Sequence, residues 1–172
     1  AQTSFAGTYT VTITDDGTTC SATASTTVVV NASPIAYTWT GNLSTEWNNA
    51  GNWDMNAIPN DCAHNVIVPS NPPSGNYPAI DVVVSVGNIQ LGNNSRVTLD
   101  ADLNVCGNWT GAPATPAILL GNSKVVFQGG AQQSISGKTQ FNTLQANNNA
   151  GVQVQSGSAV QIFTALELKA GD

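Results

Sequence analysis

The sequence predicts an all-β chain, and three features carry that expectation. Ala, Leu, Glu and Lys, the residues that fill helices, dominate no window. Thr, Val and Ile occur in short runs broken by Asn and Gly, the make-up of strands joined by turns. The apolar residues either alternate with polar ones or come as isolated triplets, the period of a half-buried strand. Charge narrows the function: 172 residues carry 4 basic and 10 acidic side chains, a net charge of −6. A basic stripe able to displace counterions from phosphates is missing, which sets nucleic-acid binding aside. The same scarcity of cations sets aside an electrostatic membrane-surface role. No apolar run approaches the roughly 20 residues of a membrane-spanning helix. An apolar share of 41% separates the chain from disordered ones. The chain opens AQTSFAGTYT, without an initiator Met or a signal-peptide pattern, and closes LELKAGD in mid-pattern. It therefore reads as a window of a longer polypeptide.

In GTYTVTIT, Tyr9, Val11 and Ile13 alternate with Thr8, Thr10, Thr12 and Thr14, which predicts a strand. Asp15-Asp16-Gly17 is a turn signal. Residues 20–30 predict a second strand, with Cys20, Ala22, Ala24, Thr26, Val28 and Val30 sharing one face. Pro34 cannot extend a ladder, so a boundary near residues 32–36 separates a first domain (1–34) from a second (35–172). The stretch AGTYTVTITDDGTTCSATASTTVVVN resembles the last two strands of the immunoglobulin-like or PKD-like repeats of large secreted surface proteins of the Bacteroidota. The resemblance implies that residues 1–34 are the incomplete end of an immunoglobulin-like sandwich, with Tyr9 at a strand corner. Two such strands expose more apolar surface than they cover. They need a second sheet, supplied by upstream sequence or by a neighbouring molecule.

Trp39, Trp47 and Trp53 fall among Asn and Gly in YTWTGNLSTEWNNAGNWDMNAIPNDCAHNVIVP. This pattern resembles the opening of a repeat in the same secreted proteins, which implies the start of a parallel β-solenoid. Apolar triplets follow at short intervals: 66–68, 82–84, 89–91, 97–99, 103–105, 118–120, 125–127, 152–154, 160–162 and 166–168. Such spacing suits strands that turn a corner and continue, with bonds from Val97–Leu99 reaching a strand one coil away. A faint echo relates Ile89-x-Leu-x-Asn-Asn to Leu144-x-Ala-x-Asn-Asn, as stacked coils would produce. A Greek-key sandwich with hairpins between adjacent triplets is the competing architecture.

Candidate chemistry is sparse. The cysteine count is odd: Cys20, Cys62 and Cys106. In a secreted chain the reading is a Cys62–Cys106 disulfide within the solenoid and a partner for Cys20 elsewhere in its domain. Three buried free thiols are the alternative. Cys62-x-His64 lacks the further ligands of a tetrahedral zinc site. Asp100 and Asp102 share a strand face, as acids do in polysaccharide-cleaving β-helix enzymes, but only Arg96 is near in sequence. They read equally well as a polar corner. Asp15-Asp16 or Asp100/Asp102 are candidates for a structural calcium with backbone carbonyls. Ser and Thr are plentiful, yet His64 is the only His and no Gly-x-Ser-x-Gly occurs, so no triad is encoded. Trp39, Trp47, Trp53 and Trp109 are candidate glycan contacts, against the plainer expectation that they plug the open end and corners of the solenoid. Asn31, Asn42, Asn93 and Asn108 begin nominal glycosylation sequons. The resemblance implies a non-enzymatic structural or adhesive segment of a large secreted cell-surface or filament protein, exported by the type IX route. Its expected partners are other domains of the same polypeptide or neighbouring copies, and surface glycans in the alternative of a carbohydrate-binding module. A polysaccharide-active β-helix enzyme is the weaker alternative.

Overall fold

An apolar–polar–apolar triplet buries two side chains and leaves its backbone unpaired, so it is stable only with another triplet along each edge. The computed structural model describes residues 7–14, 17, 20–28 and 35–169, and parallel stacking meets that need in most of them. The chain divides into two compact units, Ala1–Ser33 and Pro34–Asp172.

In the first unit β1 (Gly7–Thr14) pairs antiparallel with β2 (Ser21–Val28), Gly7 opposite Val28 and Thr14 opposite Ser21. Every residue of β1 is exposed, Tyr9, Val11 and Ile13 included. Among the described residues this unit is a two-stranded hairpin, and the sandwich implied by the resemblance is not seen. Asp15, Asp16, Val30 and Pro34 lie outside the described residues.

The second unit is a parallel β-solenoid of about five turns. β3 (Ile35–Thr38) opens it. The first turn holds β4 (His64–Val68), β5 (Ala79–Ile80) and β6 (Val84–Val86). The second holds β7 (Ile89–Leu91), β8 (Arg96–Leu99) and β9 (Leu103–Val105). The third holds β10 (Trp109–Thr110), β11 (Ala117–Gly121) and β12 (Lys124–Phe127). In the last two turns the strands of two faces fuse into one, so β13 (Gln133–Ser136) precedes a long β14 (Lys138–Ala146). Likewise β15 (Val152–Val154) precedes a long β16 (Ala159–Leu168). Face one is β3-β4-β7-β10-β13-β15. Faces two and three begin as β5-β8-β11 and β6-β9-β12, then meet on the two halves of β14.

Register makes the core. Tyr37, Val66, Ile89, Trp109 and Ile135 stack in one column on face one. Val84, Leu103, Val125 and Leu144 stack on face three. All of these are buried, because period-two alternation sends them to the same side of each strand.

The corner before face one is held by an asparagine ladder. Asn65 Oδ1 accepts from the Asn88 N–H at 2.8 Å, Asn88 Oδ1 from the Asn108 N–H at 2.7 Å, and Asn108 Oδ1 from the Ser134 N–H at 2.8 Å. These partners are 23, 20 and 26 residues apart, the length of one turn. Glycine precedes two of them for want of room: a Cβ on Gly107 would lie 2.6 Å from Asn88 Oδ1, and one on Gly87 2.8 Å from Asn65 Oδ1.

Several expectations need correction in detail. The triplet at 82–84 is displaced: β6 is Val84–Val86, and Val82 and Val83 face solvent. The triplets at 160–162 and 166–168 belong to a single strand. The echo between Ile89 and Leu144 relates different faces, since Ile89 stacks in face one and Leu144 in face three. Val97–Leu99 does pair in parallel with neighbouring turns, through β5 and β11, and not with an adjacent triplet.

Candidate functional site

The Trp-rich segment is a degenerate turn that closes one end of the solenoid. Its polypeptide follows the faces: Trp39 N–H donates to Ile67 O, Trp47 N–H to Ala79 O, and Asp61 bridges to Val86. A short 3-10 turn at Ala50–Asn52, with Asn49 at its start, brings Trp53 back inward. The rings of Trp39 and Trp47 then pack edge-on against Trp53, with centroids 5.0 and 4.7 Å away. Large faces meeting edges in this way suit the aromatic quadrupole. Trp109 lies deeper, 4.9 Å from Phe141.

All four indoles are 0–2% exposed. Each N–H is also consumed internally: Trp39 by Asn76 O, Trp47 by Pro59 O, Trp53 by Trp47 O and Trp109 by Thr139 Oγ1. The expectation that they offer glycan contacts is corrected by this burial, since a sugar ring can stack only on an open aromatic face.

Asn52, which drew no notice in the sequence, organises the cap. Its amide is fully buried, and Oδ1 accepts from the N–H groups of Leu43 and Ser44 at 2.8 and 2.9 Å. Nδ2 donates to Ser44 Oγ and Glu46 O. Both acceptor sites and both donors of an amide are thus used. The one sequence signal was its place in Gly51-Asn52-Trp53, a polar residue flanked by turn and core.

Cys62, ahead of β4, and Cys106, after β9, form a disulfide with Cα atoms 5.4 Å apart and a sequence separation of 44. Cys20 is free and exposed. His64 belongs to the scaffold: its Nδ1 accepts from the Asn60 N–H and its ring lies 4.7 Å from that of Tyr37. Asp100 and Asp102 sit at the corner between faces two and three. Asp100 is exposed, while Asp102 Oδ1 accepts from the Lys124 N–H of the next turn. Among the described residues no three His, Cys, Asp or Glu converge as metal ligands. Asn93 and Asn108 use their amide oxygens on backbone N–H groups of the following turn, whereas Asn42 is exposed in the cap.

The last turn, β15 and β16, lies at the other edge of the described residues. There the inward residues of β16 and Val154 of β15 remain partly or largely exposed over Ile135 and Leu144. No protein-family model, curated protein or solved structure matches the chain.

Proposed function

We propose that the chain is a non-enzymatic structural segment, a disulfide-braced solenoid that spaces or displays other modules of an extracellular surface or filament protein. One observation carries this reading: the tryptophans, the paired cysteines and the corner asparagines are spent on the scaffold. The four indoles fill the core, Cys62 and Cys106 bond each other, and the corner asparagines bond successive turns. The disulfide favours an oxidising compartment. Low charge and a surface of Asn, Thr and Ser suit an inert spacer. The likeness of residues 6–31 to immunoglobulin-like repeats of Bacteroidota surface proteins supports the extracellular setting and the type IX route.

Labelling intact source cells with an antibody raised against the folded chain tests the setting. Staining without permeabilisation is expected; staining only after permeabilisation overturns it. Titrating neutral and acidic polysaccharides while following tryptophan emission tests the spacer role. The emission should stay unchanged, and a saturable change would favour a carbohydrate-binding module instead.

A further inference from the structure

The outer side of face one is hollowed. Two adjoining depressions there, of about 230 and 440 Å³, share Gln90 and Thr110 as walls. The first lies over Ala36, Asn65 and Ile67, and the second reaches Ser70, Asn93 and Pro113 at the corner toward face two. From β3 to Gly137, just past β13, they cross four strand spacings, about 19 Å.

The depth comes from corner loops of unequal length. Residues 92–95 join β7 to β8, whereas the turns on either side use 69–78 and 111–116. Both longer loops are braced. The Tyr77 hydroxyl donates to Ser70 O within the first. In the second, the Ala114 and Thr115 N–H groups donate to Asn93 Oδ1 at 2.9 and 3.1 Å, and Lys138 Nζ donates to Ala114 O at 2.8 Å. Walls held in place beforehand need little ordering when a ligand arrives.

The lining decides the ligand. Among the described residues no ionisable side chain lines either depression. Gln90 is exposed, and its amide has no partner among the described residues. Asn93 Nδ2 and Ser70 Oγ are unspent in the same sense, and Thr110 Oγ1 has only the Ser136 hydroxyl, at 3.5 Å. A nucleic acid would need cations here. A peptide strand would need an open sheet edge, and β7 is already bonded on both sides, by β4 and β10. An anionic glycan would meet no counter-charge. An uncharged polyhydroxyl chain fits: its hydroxyls both donate and accept, and its C–H faces can rest on Ile67 and Pro113.

We propose that face one binds a neutral polysaccharide along this groove, held by Ser70, Gln90, Asn93 and Thr110. This adds a docking face to the solenoid and goes beyond the spacer reading, which stands if the proposal fails. Binding here leaves the buried indoles untouched, so it is read on the amides rather than on tryptophan emission.

Titrating the ¹⁵N-labelled chain with cello-, manno-, xylo- and malto-oligosaccharides, and with oligogalacturonate as the anionic control, tests it. At least one neutral oligosaccharide should shift the side-chain amide signals of Gln90 and Asn93 saturably, with a dissociation constant below about 1 mM. Oligogalacturonate should not. The Gln90→Ala/Thr110→Ala double variant should weaken that binding about ten-fold. Both side chains are exposed, and circular dichroism checks that the variant still folds. Absence of saturable binding across the neutral series overturns the proposal. So do shifts centred away from Gln90 and Asn93, tighter binding of the anionic control, or an affinity that the double variant leaves unchanged.

Discussion

Asn52 condenses the chemistry of the cap into one side chain. Two backbone N–H groups, those of Leu43 and Ser44, have their bonds to its buried Oδ1. Removing that acceptor leaves two part-buried donors without their partner, at a cost of up to about 1–3 kcal/mol for each. Asn52→Ala should therefore destabilise the solenoid by about 2–4 kcal/mol in urea unfolding, far more than its volume implies. Asn52→Asp keeps the acceptor but turns two donors into lone pairs facing Ser44 Oγ and Glu46 O, so it should not rescue the loss. The same logic explains why buried polar positions were hard to see in the sequence. Gln133 is 2% exposed, and its Nε2 donates to the carbonyls of Val105 and Gly107. Thr139 is buried beneath Trp109, whose indole N–H it accepts. A polar residue satisfied from inside looks, on a hydrophobicity pattern, like one that faces water.

Strands were therefore legible in proportion to their purity. Val66–Val68, Ile89–Leu91 and Leu103–Val105 put aliphatic residues at both inward positions, and each is a strand. β13 and β14 place Gln133, Thr139, Thr143 and Gln145 among buried positions, and neither was anticipated. The Val82–Val84 run misled for the opposite reason, because two of its three valines turn outward at a corner. The hairpin of β1 and β2 was legible as strands but not as a stable element. Its Val11 and Ile13 are 63% and 71% exposed, and an isolated two-stranded hairpin is marginal in water. Amides of residues 8–14 and 21–28 should exchange with deuterium within seconds to minutes in a verified monomer, whereas those of β7 to β12 should be protected for far longer. Slow exchange of the hairpin in that monomer would show that the two strands are self-sufficient.

At the scale of the whole solenoid, stability is a chain of nearest-neighbour terms, since each turn touches only the turns beside it. The disulfide breaks that locality by joining residues 44 apart. Closing a loop of that length in the unfolded state gives about 4 kcal/mol by chain entropy. The Cys62→Ser/Cys106→Ser double variant should lose about 2–4 kcal/mol relative to the oxidised protein, and a reducing agent should then change its stability no further. A loss well under that range would mean the unfolded chain is already compact. The sequence reading paired Cys62 with Cys106 against the alternative of three free thiols, and the structure shows that bond. What decides it is winding, which brings the segment ahead of β4 beside the corner after β9, a closeness that no local pattern encodes.

The bond also governs how the molecule would yield if its ends were pulled apart. Residues between Cys62 and Cys106 lie inside a covalent loop, so tension bypasses them even after their ladders have torn. Fully stretched, 44 residues correspond to about 150 Å of contour length. Oxidised, the protein keeps that length in reserve; reduced, it releases it. A tether built from such units would have its maximum reach set by the redox state of its surroundings, with no change in its folded structure.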